Sequence, residues 1–170
     1  YASYSEGFKV GGINESECSP PWDPETVASY EVGYKSTLND GATTLSAAAF
    51  HYDYSDFQVA QVIGIVGVIT NAGDATIDGF ELEVNSNVGE DWTVSAGLTL
   101  LDSAYGDFLN TDALQGDAGV LQNKGNPLNK APKTSLNLGI VRNMWLDSGS
   151  NLRIGLNAAY RSRTYFREFG

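Results

Sequence analysis

A chain of 170 residues with 21 acidic and 10 basic side chains, one His and one Cys carries a formal net charge of −11. Phosphate recognition needs a basic footprint, so nucleic acid is excluded as a partner; the lone Cys18 and His51 exclude an internal disulfide and a Cys/His metal cluster. At 42 % hydrophobic and 11 % aromatic the chain is too apolar for an acidic disordered segment, and its length is one domain at most or part of a larger one. It lacks both an 18-residue apolar run for a membrane-spanning helix and a charged-then-apolar signal start.

The hydrophobic period is two almost throughout, which predicts strands. They are expected over 1–9, 26–38, 42–57, 74–88, 92–103, 133–146 and 151–163. On 26–38 the residues Tyr30, Val32 and Tyr34 interleave with Glu31, Gly33 and Lys35; on 42–57, Phe50, Tyr52 and Tyr54 interleave with His51, Asp53 and Ser55. The alternation continues through Phe80, Leu82 and Val84, then Trp92 to Leu100, Leu136 to Ile140, and Leu152 to Tyr160. On each strand the apolar set is expected on one side of a sheet and the polar set on the other.

Short turns at 39–41, 89–91 and 147–150 alternate with long connections at 10–25, 58–73 and 104–132. Asp and Gly in the short turns suit tight hairpins. Unstructured connections as long as 104–132 are uncommon in a compact soluble domain. An outer-membrane β-barrel expects that alternation, with short turns at the periplasmic rim and long loops outside. Trp92 and Trp145 beside short turns fit an interfacial aromatic girdle. The fold class is therefore all-β, an antiparallel up-and-down meander forming an internal part of a transmembrane β-barrel. An odd count of seven strands cannot close a bacterial single-chain barrel, so 1–170 is expected to be a partial barrel domain.

Several motifs in order carry a family resemblance. Tyr1 to Lys9 followed by Gly11-Gly12, then Pro24-Glu25 with Tyr30-Glu31-Val32-Gly33 and Lys35, resemble the C-terminal half of TonB-dependent outer-membrane receptors. Asn71-Ala72-Gly73 with Gly79-Phe80-Glu81-Leu82-Glu83, then Asn129, Ala131, Pro132 and Leu138, and finally Tyr160-Arg161-Ser162, are similar to later segments of that family. The resemblance implies a 22-stranded barrel filled by an N-terminal plug domain, with the plug relaying energy from TonB. It implies uptake of a scarce small-molecule ligand such as a ferric siderophore, in bacterial outer-membrane lipid and without a cofactor. The plug and the terminal strands are expected to lie outside this stretch.

Candidate ligand-binding residues are Trp22, Asp107, Asp112 and Asp117 on the long connections and Arg153 and Arg161 on the polar face of the last strand. Charge is uneven: residues 1–123 hold 2 lysines against 19 carboxylates, and residues 124–170 hold 8 cations against 2. The arginines are expected either to pair with acidic strands across the lumen or to guide an anionic ligand. His51 beside Asp53 falls short of a metal site or a triad and is expected as a lumen-facing polar residue. Glu81 and Glu83 share a strand face as a glycosidase pair would, but equally suit a face lining the plug. The acidic 107–117 stretch offers oxygen ligands without a calcium-loop spacing, and Cys18 either pairs with a cysteine elsewhere or stays free. With no nucleophile and base together, an enzyme is not expected. The alternative reading is a soluble or surface β-sheet binding module, adhesin-like or carbohydrate-binding.

Overall fold

The computed structural model describes residues 1–14, 20–63, 66–111 and 120–167. Among them every regular element is a strand: β1 (Ala2–Lys9), β2 (Glu25–Leu38), β3 (Thr43–Ser55), β4 (Gln58–Ile63), β5 (Val66–Asn71), β6 (Ala75–Val88), β7 (Trp92–Tyr105), β8 (Leu109–Thr111), β9 (Val120–Gln122), β10 (Thr134–Trp145) and β11 (Asn151–Arg161). Seven of these form one sheet in the order β1-β2-β3-β6-β7-β10-β11, each pair antiparallel, which is the expected meander. The remaining four make two small hairpins, β4-β5 and β8-β9.

Those hairpins correct the expectation that 58–73 and 104–132 are plain connections. In the first, Val59 and Val68 are buried, so this run of apolar residues is a folded unit with an inner side. The third strand also stops at Ser55 rather than 57, because Asp56 takes a left-handed backbone (φ 55°) that turns the chain. Phe57 then leaves the ladder, its N–H donating to Gly73 O at 2.7 Å. The short turns are the tight hairpins expected: Asn39, Asp40 and Gly41 have φ of 55°, 52° and 95°, the positive values that twist-matched hairpins require.

Register fixes which side chains share a face. Tyr30, Val32 and Tyr34 lie opposite His51, Ala49 and Ala47, and those lie opposite Asp78, Phe80 and Leu82. The same face continues through Leu98 and Leu100, then Leu136 and Leu138, to Tyr160 and Ala158. The other face carries Glu31, Glu81, Glu83, Asn137 and Asn157, and it is concave, lining an open trough of about 840 Å³. The apolar face is therefore convex, and it is open: Val32 and Tyr34 are each 59 % exposed and Leu138 is 47 % exposed.

One strand contradicts its expected facing. Phe50, Tyr52 and Tyr54 pair with Glu31, Ser29 and Val27, so they stand on the concave side, while His51 and Asp53 stand on the convex side. The reason is a close approach between neighbours. Phe50 lies over Gly79, where any Cβ would come within 2.1 Å of its ring, and stacks on Tyr52 with centroids 4.8 Å apart. His51 is thus not lumen-facing. Its Nε2 lies 3.0 Å from Asp53 and its Nδ1 2.8 Å from Asp78, with Lys133 and Asp102 forming a further ion pair at 3.3 Å.

Candidate functional site

The long connections all leave the sheet at one rim, and their best-buried part is a cluster on the concave side. Tyr54 meets Phe57 edge-on at 5.2 Å, Phe57 meets Tyr105 at 6.0 Å, and Tyr105 meets Phe108 at 5.6 Å. Val59, Ala72, Ala75 and Leu128 complete the cluster, so residues from the second and third connections share one core with β3, β6 and β7. Backbone bonds tie the same parts together. Gly106 N–H donates to Asp74 O at 2.7 Å, Tyr105 N–H to Asn126 O at 3.0 Å, and Asn123 N–H to Phe108 O at 2.8 Å.

The first connection is held by carboxamides. Asn14 grips the backbone of Ile69 twice, accepting from its N–H at 2.9 Å and donating to its carbonyl at 3.0 Å, as a neighbouring strand would. Asn71 accepts from Asp23 N–H at 2.8 Å and donates to the carbonyls of Asp23 and Asp56 at 3.1 and 2.6 Å. Buried Gln58 donates to the carbonyls of Val10 and Asp23, and its own N–H reaches the Glu25 carboxylate at 2.7 Å. The Asn71-Ala72-Gly73 motif thus has a physical account. Its Asn ties two connections, its Ala is buried in the aromatic cluster, and its Gly takes φ 71° where a Cβ would lie 2.8 Å from Asp107 O.

A test of this bracing is Asn71→Ala. Losing a half-buried carboxamide that bonds three backbone groups near the surface costs roughly 0.5–1.5 kcal/mol. Amide hydrogen exchange at Asp23 is expected to accelerate while the β6-β7 ladder keeps its protection. Unchanged exchange at Asp23 would remove Asn71 as a brace.

Of the candidate residues, Trp22 and Gly12 exchange backbone bonds of 2.9 and 3.0 Å, and the Trp22 ring lies against Gly12. Asp107 is paired with Lys124 at 2.9 Å. Arg153 and Arg161 do share the concave face, opposite Asn143 and Ser135, but at opposite ends of β11. Eight residues of strand separate them by about 26 Å. Asp112, Asp117 and Cys18 lie outside the described residues. Among the described residues no group of three or more His, Cys, Asp or Glu is placed to hold a metal ion. Asn14, Gln58, Asn71, Tyr105 and Phe108 do not stand out in the sequence as a set, since their relation is one of distant chain segments.

On the convex face of β7 the apolar run is bounded by Trp92 at the short-turn rim and Asp102 at the other. Ten residues at about 3.3 Å and a tilt of roughly 40° span about 25 Å, the height of a barrel's lipid-facing band. An antiparallel meander with a greasy convex face of that height and a polar concave face is a section of the wall of a transmembrane β-barrel. The chain belongs to the family described as "TonB dependent receptor-like, beta-barrel", which matches residues 1–169. This is a family of receptors and transporters rather than of enzymes, found in the bacterial outer membrane.

Among curated relatives, the chain is 36 % identical over 81 residues to the probable TonB-dependent siderophore receptor PiuA of Acinetobacter baumannii, covering 48 % of this chain and 10 % of that protein. It is 33 % identical over 98 residues to the ferric-pyoverdine BN7/BN8 receptor of Pseudomonas putida, covering 57 % of this chain and 12 % of that one. In fold it is similar to the ferric yersiniabactin uptake receptor FyuA of Yersinia pestis, with a TM-score of 0.77 at 20 % identity over 98 % of this chain and 24 % of that chain. The chain therefore spans about a tenth of the length of these curated relatives and a quarter of that solved structure.

Proposed function

We propose that this chain is part of the wall and outer mouth of an energy-coupled outer-membrane transporter that takes up a ferric siderophore. The observation that carries the reading is the family match over 1–169, joined to relatives whose names are those of siderophore and ferric-pyoverdine receptors. In this reading the convex face stands in outer-membrane lipid. The concave face, with Glu31, Glu81 and Glu83, surrounds an N-terminal plug domain that couples to TonB. No cofactor and no chemistry are required of the segment itself.

Ligand capture then belongs to the rim where the three connections gather, because braced loops on a rigid frame can vary without disturbing strand pairing. Trp22, Asp107, Asp112 and Asp117 are its candidate contacts on the loops. Arg161 stands at the same rim and Arg153 near the exit, an order that suits guiding an anionic chelate inward. Replacing residues 112–119 by a short Gly/Ser link in the intact receptor is expected to lower uptake of the iron-loaded siderophore while leaving the heat-modifiable barrel at parental levels. Unchanged uptake would take that loop out of ligand capture. An adhesin-like soluble module is the weaker reading, since the exposed convex face of Val32, Tyr34 and Leu138 would meet water.

A further inference from the structure

Arg142 is a charged residue on the convex side that the lipid-facing reading does not absorb. Register places it opposite Trp92 on one side and Ile154 on the other, so it belongs to the greasy face. Its guanidinium lies 5.1 Å from the centroid of the Trp92 ring. Among the described residues no carboxylate forms an ion pair with it, whereas Lys133, near the opposite rim, is paired with Asp102. A guanidinium does not deprotonate, and its five N–H donors need acceptors that Trp92, Ile154 and neighbouring Ile140 cannot supply.

Depth selects the acceptor. Trp92 is the first residue after the turn at 89–91, and a tryptophan at a strand end sits at headgroup level. An outward arginine costs roughly 2–4 kcal/mol at the bilayer midplane but only about 0–1 near the interface, so Arg142 is placed where it is tolerated. The charges on the convex face are also unevenly compensated. Toward the long-loop rim the charged groups compensate one another, Asp53 and Asp78 on His51 and Asp102 on Lys133, whereas Arg142 stands toward the short-turn rim without an acidic partner among the described residues, where it attracts an anionic headgroup. We infer that Arg142, held by the Trp92 ring, is a binding site for the phosphodiester of a membrane phospholipid at the short-turn rim. The inference rests on the convex face standing in lipid. Trp92 fixes one face of the guanidinium by a cation–π contact and leaves its N–H edge to bond phosphate oxygens.

The experiment uses the intact receptor, purified in non-ionic detergent, folded barrels being selected by heat-modifiable mobility. Parent and variant are mixed and titrated with dioctanoyl-phosphatidylglycerol, and the tightest-bound lipid is followed by native mass spectrometry. Arg142→Gln is expected to bind it about tenfold more weakly, and Arg142→Lys, which keeps the charge, to retain most of the affinity. Uncharged dioctanoylglycerol on the parent protein is expected not to be retained, and this arm needs no variant to fold. Parental affinity in R142Q, or equal retention of the phosphate-free lipid, would overturn the site. A nitroxide at Leu98→Cys, on a Cys18→Ser background in a bilayer, tests the underlying reading separately. High oxygen accessibility keeps the lipid-facing assignment whatever Arg142 does, and a value as low as that of a concave-side label would remove both.

Discussion

Leu98→Arg is expected to reduce assembly of the receptor in the membrane sharply, while Thr99→Arg, one residue along, assembles near parental yield. Leu98 lies between Leu82 and Leu136 at the centre of the convex apolar band, about halfway between Trp92 and Asp102. An arginine there meets hydrocarbon at mid-depth, a cost of roughly 2–4 kcal/mol that neighbouring leucines cannot offset. Thr99 lies between Glu81 and Ser135 on the concave face, where a guanidinium finds a carboxylate directly across the ladder. The readout is the fraction of receptor running as the compact, heat-modifiable form. Equal fractions for the two variants would overturn the assignment of faces.

This contrast is legible in the amino-acid sequence alone, because apolar residues recur at every second position through Phe80 to Val84, Trp92 to Leu100, Leu136 to Ile140 and Leu152 to Tyr160, and each of these runs reports the same division. The strand β3 is not legible in that way. Its convex positions from Ala47 to Asp53 are small or polar, and its concave positions include Phe50, Tyr52 and Tyr54. Counting grease on one strand therefore assigns the wrong face, and only the ladders to β2 and β6 correct it. A partial signal is present in Gly79, a residue without a side chain on a strand, as expected where an aromatic ring from the neighbour must lie flat.

The loops show a different limit. The Asn71-Ala72-Gly73 motif stands out in the sequence, but its work depends on Asp23, Asp56 and Asp107, which are far away along the chain. Side-chain carboxamides that bond backbone groups of another connection leave no periodic trace. Residue type and position on a loop single out the candidate contacts there, and two of them prove to be engaged locally, Asp107 with Lys124 and Trp22 with Gly12. What builds the mouth is instead the buried set, which reads in sequence as scattered aromatics.

Phe108→Ala is expected to release the mouth without dissolving the wall. Phe108 is 3 % exposed and packs on Tyr105, which is equally buried and passes the contact to Phe57 and Tyr54. Removing a buried phenyl ring costs roughly 3–5 kcal/mol, more than the few carboxamide bonds at this rim can hold alone. The seven-stranded sheet does not share that dependence, because its ladders run continuously from β1 to β11 and most of their pairs lie below the cluster. In whole cells the variant is expected to assemble a heat-modifiable barrel at near parental level, and added protease is expected to cut its long connections several-fold faster. Phe108→Leu, which refills most of the ring's volume, should raise cutting much less. Loss of the barrel itself would place the cluster in the folding core of the sheet, and parental resistance to protease would mean that the Asn14, Gln58 and Asn71 braces hold the mouth without it.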